Sequence, residues 1–533
     1  MTRGIGLTGA AVGLLLSVVV IGLGGCRPGP EIEPRLPDVR LVVLIVADQL
    51  SASAFERFRP AFEGGLARLE AEGVRFTEAH HEHAPAETAP GHASLATGTH
   101  PRTSGIVGNR LFDPDREEWF YSVEDERHGS SPRRLLVPAL GDWIRGAAPE
   151  ARVYAVAGKD RSAIFLGGHG AEGAYWYDRE SGEFTSSDYY PQDSPEWLRE
   201  RRSALPADEY FGRLWEPLTG FEGRFGEVGI VELDEGVFPR EFPHPIGEPT
   251  VEPEESFYGL LYGTPFLDEM ILDLAKRIVV SRDLGREGQM DFLGISFSAL
   301  DLVGHAYGPH SPEFLDTIRR LDRSLGRLMS FLEEEVGAEH LLLALSSDHG
   351  VMPLPEVLRS QGVPASREGP EEVVCVQSTA RQWSRRTGEG FGDAAGFQAD
   401  LENCPHLRKV WTTEELHPYD PVRAARDRDY RRFANSFHPE RSPDLILQWE
   451  EHHLLRRGRG TSHYGPYEED NHVPLILWSP ALRSATVSER VATVDLAPTL
   501  AGLLGIPIPE TVDGADRSGG LKLADRTGKG SGR

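Results

Sequence analysis

Five short apolar runs, each bordered by polar or charged residues, constrain this chain more than any other feature. Leu41-Val42-Val43-Leu44-Ile45-Val46 leads unbroken to Asp48. Val153 to Ala157 reaches Gly158 and Lys159, and Phe292 to Phe297 stops shortly before Asp301. Leu341 to Leu345 leads to Asp348 and His349, and Val473 to Trp478 lies just after His463. Such runs, without apolar–polar alternation, suit strands buried on both faces of a parallel sheet. Between them the period changes. Phe314, Ile318, Leu321, Leu325, Leu328 and Leu332 recur at steps of three and four until Gly337, which predicts a helix. Residues 61–72, 138–146 and 265–282 have the same character. Strands alternating with helices specify an α/β fold, with a central, mostly parallel sheet and helices on both faces. Sites in such sheets lie beyond the carboxyl ends of the strands, where these polar residues stand.

Two stretches break the alternation. Residues 170–260 are rich in aromatics, Pro and Gly, and residues 355–460 are rich in charge. Both are expected to be insertions that build the rim of the site within one catalytic domain spanning residues 40–515. Cys375 and Cys404 fall in the second. They either form a disulfide, worth roughly 3 kcal/mol for a loop of about thirty residues, or remain as two buried thiols. The first 25 residues read as a targeting segment: Arg3, an apolar run from Ile5 to Leu23, then Gly24-Gly25-Cys26. They resemble a bacterial lipoprotein signal peptide with a lipid on Cys26; an uncleaved membrane anchor is the alternative. Residues 26–39 then form a tether. The expected location is exported and lipid-anchored, facing the periplasm or on the outer-membrane surface. The tail, residues 516–533, is expected to be disordered. A formal charge of −27, from 83 acidic and 56 basic residues, offers no basic stripe for nucleic acid. It leaves room for a small anionic partner, because a local cationic site can sit inside an acidic protein.

Four strand-end segments carry acid and imidazole side chains: Asp48, the pair Asp301 and His305, the pair Asp348 and His349, and His463. Carboxylate oxygen and imidazole nitrogen are zinc's ligands outside thiolate sites. Taken singly, each segment reads more simply as a helix cap, a local ion pair or a solvated loop; four on one sheet edge do not. The tract His80-His81-Glu82-His83 is read as mostly structural, and His92, His310 and His472 as supporting residues. The remaining segment is Glu87-Thr88-Ala89-Pro90-Gly91-His92. Pro90 and Gly91 fit a helix start, where backbone N–H groups favour phosphate, and Thr88 stands there as a candidate nucleophile.

In this order the segments resemble the alkaline phosphatase superfamily, in its type I phosphodiesterase/nucleotide pyrophosphatase branch. The resemblance spans about residues 40–515 and includes Val494-Asp495-Leu496-Ala497-Pro498-Thr499-Leu500. It implies two zinc ions. One is held by Asp301, His305 and His463, and the other by Asp48, Asp348 and His349 together with the Thr88 oxygen. It further implies attack of Thr88 on phosphorus, a covalent phospho-threonine and its hydrolysis.

Substrate class turns on three more residues. Asn109, 21 positions after Thr88, resembles the family asparagine that contacts a phosphoryl oxygen. Lys159 and Arg161, at the end of the second apolar run, suit the non-bridging oxygens of a dianion. This Lys-x-Arg, with Gln49 after Asp48, resembles the single-polypeptide alkaline phosphatases that use threonine. The expected activity is phosphate monoester hydrolysis. A nucleotide pyrophosphatase/phosphodiesterase with the same two-zinc site is the alternative, and a non-catalytic metal-binding lipoprotein a more distant one. A sulfatase would need Cys or Ser where Thr88 stands, and arginine where His92 stands. Arg110 has no assigned role beyond the rim.

Overall fold

The computed structural model describes residues 35–190, 207–220, 224–231, 242–247, 253–369, 372, 375–377 and 394–524. Ten strands form the central sheet: β1 (Leu41–Ala47), β2 (Val74–His80), β3 (Val153–Ala157), β4 (Gly173–Tyr177), β5 (Phe184–Thr185), β6 (Asp291–Phe297), β7 (Leu341–Ser346), β8 (His472–Trp478), β9 (Ala485–Val487) and β10 (Val491–Ala492). They lie in the order β9-β2-β8-β7-β1-β6-β3-β4-β5, with β10 also paired to β2. All five apolar runs are strands of this sheet. β1, β6, β7, β3 and β4 are mutually parallel, and their carboxyl ends align: Ala47 opposite Phe297, Val46 opposite Ser346, Ser296 opposite Ala157.

β8 runs antiparallel to both of its neighbours. That reversal has a functional consequence. His463 precedes β8 in the chain, whereas the other candidate ligands follow their strands. The antiparallel direction brings the start of β8 to the edge where the parallel strands end, so all four segments share it.

The helices that matter here are α1 (Thr88–Thr97), α2 (Asp160–Gly167), α3 (Phe266–Ser281), α4 (Ala299–Tyr307), α5 (Pro312–Glu335) and α6 (Leu496–Leu504). Strand geometry sends alternate side chains to opposite faces, and β1 divides accordingly. Leu41, Val43 and Ile45 pack with Leu267 and Ile271 of α3 and with Ile318 and Leu325 of α5. Val42, Leu44 and Val46 pack with Ala89 and Ala93 of α1, Ile164 of α2 and Leu500 of α6. Each such buried Val or Leu contributes about 1.5–3 kcal/mol relative to exposure. Helices therefore cover both faces, as the uninterrupted apolar runs require. α5 starts where Ser311 Oγ accepts from Phe314 N–H (3.1 Å) ahead of Pro312, and it stops just before Gly337 at φ 95°.

Three boundaries differ from expectation. β4 and β5 belong to the central sheet although they lie within the first stretch read as insertion, because Gly and aromatic residues masked their period. The proposed tether is partly core: Leu36 is buried, and its N–H donates to the Leu503 carbonyl. The tail packs as far as Ala524. Arg517 pairs with Asp495, Leu521 is buried and Leu523 bridges Leu482. The second stretch carries an antiparallel strand pair, Leu407–Thr412 with Leu445–Trp449, and further apolar clusters. Cys375 and Cys404 are disulfide-bonded. Cys26 and the apolar leader lie outside the described residues, and among those described no helix is long and apolar enough to cross a membrane.

Candidate active site

Thr88 is the first residue of α1 and is buried. α1 approaches the end of β7 so closely that a Cβ on Gly91 would fall 2.1 Å from the Asp348 carbonyl oxygen. Only glycine permits that approach, which explains the Pro-Gly pair better than helix initiation alone. Gly91→Ala must push α1 away from Asp348. Shifts of about 1 Å at a reacting group cost on the order of 10²-fold in rate. We expect a loss of that size in kcat/KM with an intact fold, checked by steady-state kinetics beside circular dichroism.

Two trios of ligand-type atoms converge beside Thr88. His349 Nε2 lies 3.4 Å from Asp348 Oδ2 and 3.7 Å from Asp48 Oδ1. Asp301 Oδ1 lies 3.2 Å from His305 Nε2 and 3.7 Å from His463 Nε2. In all three histidines Nδ1 faces a backbone carbonyl: Thr461 for His305 (2.8 Å), Gly350 for His349 (2.9 Å) and Ala86 for His463 (2.6 Å). A carbonyl only accepts, so Nδ1 carries the proton and Nε2 presents its lone pair to the centre. This is the orientation that second partners impose on metal-binding imidazoles. Burial holds the His349 and His463 imidazoles below their ordinary pKa, so both are neutral. Asp48 Oδ1 and His349 Nε2 are buried with no hydrogen-bond partner. Orphaned donor atoms in two N/O sets fit divalent metal ions and give the buried carboxylates their compensation.

The cations of the sequence motif are here too. Lys159 Nζ sits 2.7 Å from Asp48 Oδ2, 2.6 Å from Asp301 Oδ2 and 3.3 Å from Thr88 Oγ1. Burial works against its charge, but Asp301 and Asp48 more than offset that and hold its pKa above the ordinary value. Burial raises the Asp48 pKa well above its usual range, and Asp348 adds to this. Asp301 is driven the other way: burial is overcome by Lys159 and His305. Arg161 Nη2 reaches 3.4 Å from Thr88 Oγ1 while its Nη1 donates to Tyr121 OH (3.0 Å). Ala89 N–H donates to Asn109 Oδ1 (2.9 Å), and Asn109 N–H donates to Glu87 Oε2 (2.6 Å). All ten residues singled out in the sequence thus meet at one sheet edge.

The supporting histidines divide. His92 Nδ1 donates to the Thr88 carbonyl and lies 3.1 Å from Asp348 Oδ2, while Nε2 meets Ser296 Oγ (2.8 Å). His81 Nε2 donates to the Ser347 carbonyl, and Glu82 pairs with Arg431 and Arg490. His472 stacks on His80, and the His310 carbonyl accepts from Val231 N–H, away from the two trios. Arg110 lies exposed on the Arg110–Asp113 strand.

Sequence reasoning did not single out Gln49 or Tyr121 as site residues. Gln49 N–H donates to Asp348 Oδ1 (3.1 Å) and its Nε2 to Asp301 Oδ1 (2.7 Å), so it straps one carboxylate of each trio. It does so from a left-handed backbone, φ 70°, a strain of order 1 kcal/mol that surrounding structure must sustain. A Cβ on Gly304 would overlap Gln49 Oε1. The Asp-Gln pair was visible in the sequence, but not its reach. Tyr121 lies in a hairpin with no sequence signal of its own; only the fold brings it to Arg161 and to Asp160 Oδ1 (2.6 Å).

A buried hydroxyl at a helix start, beside paired Asp/His trios at the carboxyl edge of a mostly parallel sheet, defines a class: the metal-dependent α/β hydrolases of phosphate esters. The chain belongs to the type I phosphodiesterase/nucleotide pyrophosphatase family, whose model matches residues 42–470. Within it, the chain is similar to alkaline phosphatase PhoV of Synechococcus elongatus, 29% identical over 517 residues covering 90% of this chain and 92% of that one. It is also 29% identical to alkaline phosphatase PhoK of Sphingomonas over 531 residues, 89% of this chain and 90% of that one. The crystal structure of alkaline phosphatase PafA superposes with a TM-score of 0.79 at 25% identity, covering 90% of this chain and 99% of PafA.

Proposed function

We propose that the protein hydrolyses phosphate monoesters to inorganic phosphate and an alcohol through a phospho-threonine at Thr88. The observation that carries this reading is the convergence of two cations on one hydroxyl, with Lys159 and Arg161 at 3.3 and 3.4 Å from Thr88 Oγ1. A monoester brings a dianionic phosphoryl group to that point; a diester replaces one of those oxygens with a substituent. Asp48, Asp348 and His349 would hold one zinc ion with Thr88, and Asp301, His305 and His463 the other. Bound there, such ions lower the pKa of a coordinated hydroxyl and neutralise charge on a departing oxygen.

The chain's own residues do the rest. α1 fixes Thr88 for in-line attack on phosphorus. Asn109, its oxygen engaged by Ala89 N–H, has its NH2 end left to donate to a phosphoryl oxygen. Lys159 and Arg161 grip the remaining oxygens, and Tyr121 orients Arg161. Gln49 keeps the two carboxylates in register. After the alcohol leaves, water attacks the phospho-threonine in line and restores the hydroxyl. The substrates on this reading are small phosphorylated metabolites outside the cytoplasm. Leu23-Gly24-Gly25-Cys26 supports export and lipid anchoring on Cys26.

The discriminating experiment compares kcat/KM of the zinc-loaded enzyme for an aryl phosphate and for its methyl diester. We expect the monoester to be preferred by at least about 10²-fold, since one charge-matched donor at a phosphoryl oxygen is worth about that much. Preference for the diester would transfer the assignment to the pyrophosphatase/phosphodiesterase reading.

A further inference from the structure

The 355–460 insertion holds a second cluster of ligand-type side chains that shares no residue with the site above. Glu372, His406 and His453 each have a ligand atom within 4.8 Å of the other two. They come from three separate segments. Glu372 lies three residues before Cys375, and His406 lies two after Cys404, so the disulfide holds their segments side by side. His453 opens a short strand paired with Ser366–Arg367.

Orientation sets this cluster apart from an ordinary surface ion pair. His406 Nδ1 lies 3.0 Å from Glu450 Oε2, and a carboxylate oxygen accepts there, so Nδ1 carries the proton. His406 Nε2 is thereby left to face Glu372 Oε1, 3.9 Å away. The other Glu372 oxygen, Oε2, accepts from Gly369 N–H (2.9 Å). His453 Nδ1 is bonded to Ser366 Oγ (2.8 Å), while its Nε2 is buried with no hydrogen-bond partner. The two imidazoles stack, with centroids 4.4 Å apart. Thus each imidazole is bound at Nδ1 by a second residue, with His406 Nε2 facing the glutamate and His453 Nε2 left without a hydrogen-bond partner. A carboxylate partner such as Glu450 on His406 orients an imidazole toward metal. An unpartnered buried nitrogen otherwise costs free energy.

We propose that Glu372, His406 and His453 form a structural zinc site that ties together three segments of the insertion. A two-histidine, one-carboxylate set is an established zinc donor set, with ligand distances of about 2.0–2.2 Å. The charge suits a divalent cation: Glu372 and Glu450 bring two negative charges to two imidazoles. His406 is exposed, which leaves the fourth position to solvent. The backbone of His406 is left-handed, φ 59°, so a local constraint maintains its direction.

The test is zinc content per chain, measured on the full chain equilibrated with zinc and then desalted. His406→Asn keeps a residue that tolerates a left-handed backbone, and Glu372→Gln keeps the shape of the side chain. The wild type should retain one zinc more than either variant, whatever the occupancy of the active site, and kcat/KM should be unchanged. Glu450→Gln removes no ligand and should weaken binding at this site about 10–100-fold. Zinc should also raise the Tm of the wild type beyond the amount that restores activity, an increment both ligand variants lose. Equal zinc content in the wild type and both ligand variants, with the same thermal response, would overturn the proposal.

Discussion

Replacing Thr88 by alanine should lower kcat/KM for an aryl phosphate by at least about 10⁴-fold, the scale on which loss of a covalent nucleophile acts. The fold should not suffer. Thr88 heads α1, but the Ala89–Asn109–Glu87 hydrogen bonds that fix the start of the helix do not use its hydroxyl. Nor does Thr88 Oγ1 join Asp48, Asp348 and His349 to one another, so metal content should fall far less than activity. Thr88→Ser restores a hydroxyl at the same carbon and should recover a large part of the rate. Steady-state kinetics with zinc analysis checks both variants. An alanine variant retaining more than about a hundredth of the activity would remove Thr88 from the mechanism.

The second large effect concerns the two cations. Lys159→Ala with Arg161→Ala should reduce monoester hydrolysis by about 10³-fold or more, because each removed donor to a transition-state oxygen costs on the order of 10²–10³. Losses from residues that act as a unit do not add, so the double variant should fall short of the product. Lys159 also contacts Asp48 and Asp301, so its removal changes the charge around both trios. A change in metal occupancy, however, penalises every phosphate ester alike. The informative quantity is therefore the ratio of kcat/KM for the aryl phosphate to that for its methyl diester. It should fall by at least about 10²-fold in the double variant, since the diester presents one charged oxygen fewer. An unchanged ratio would mean that Lys159 and Arg161 serve the metal site and not substrate choice.

Most of the candidate site is legible in the sequence, for a physical reason. A strand buried on both faces is written as an unbroken apolar run, so its end is sharp, and the residue just past it is placed by the fold itself. That made Asp48, Lys159, Asp348 and His349 readable. Asp301 and His305 face one centre because a helix places residues four apart on one face. What the sequence left open depends on distances between segments. Nothing local reports that β8 runs antiparallel, although that reversal is what carries His463 to the others. Gly91 reads as helix punctuation until the Asp348 carbonyl is seen beside it. Gln49 and Tyr121 act through reach across the fold, which period and propensity do not encode. β4 and β5 were hidden for a simpler reason: Gly173-Ala174-Tyr175-Trp176-Tyr177 has neither an aliphatic run nor a clean alternation. The packed tail was obscured by its glycine- and charge-rich composition, which outweighed single anchors such as Leu521.

The central claim is that phosphorus passes through Thr88 on its way to water. It is tested most directly by the stereochemical course of the wild-type, zinc-loaded enzyme on a monoester chiral at phosphorus. Each in-line displacement inverts the centre. Attack by Thr88 followed by attack of water on the phospho-threonine gives two inversions, and net retention of configuration is the predicted result. Net inversion would mean a single direct displacement by water and would contradict the account.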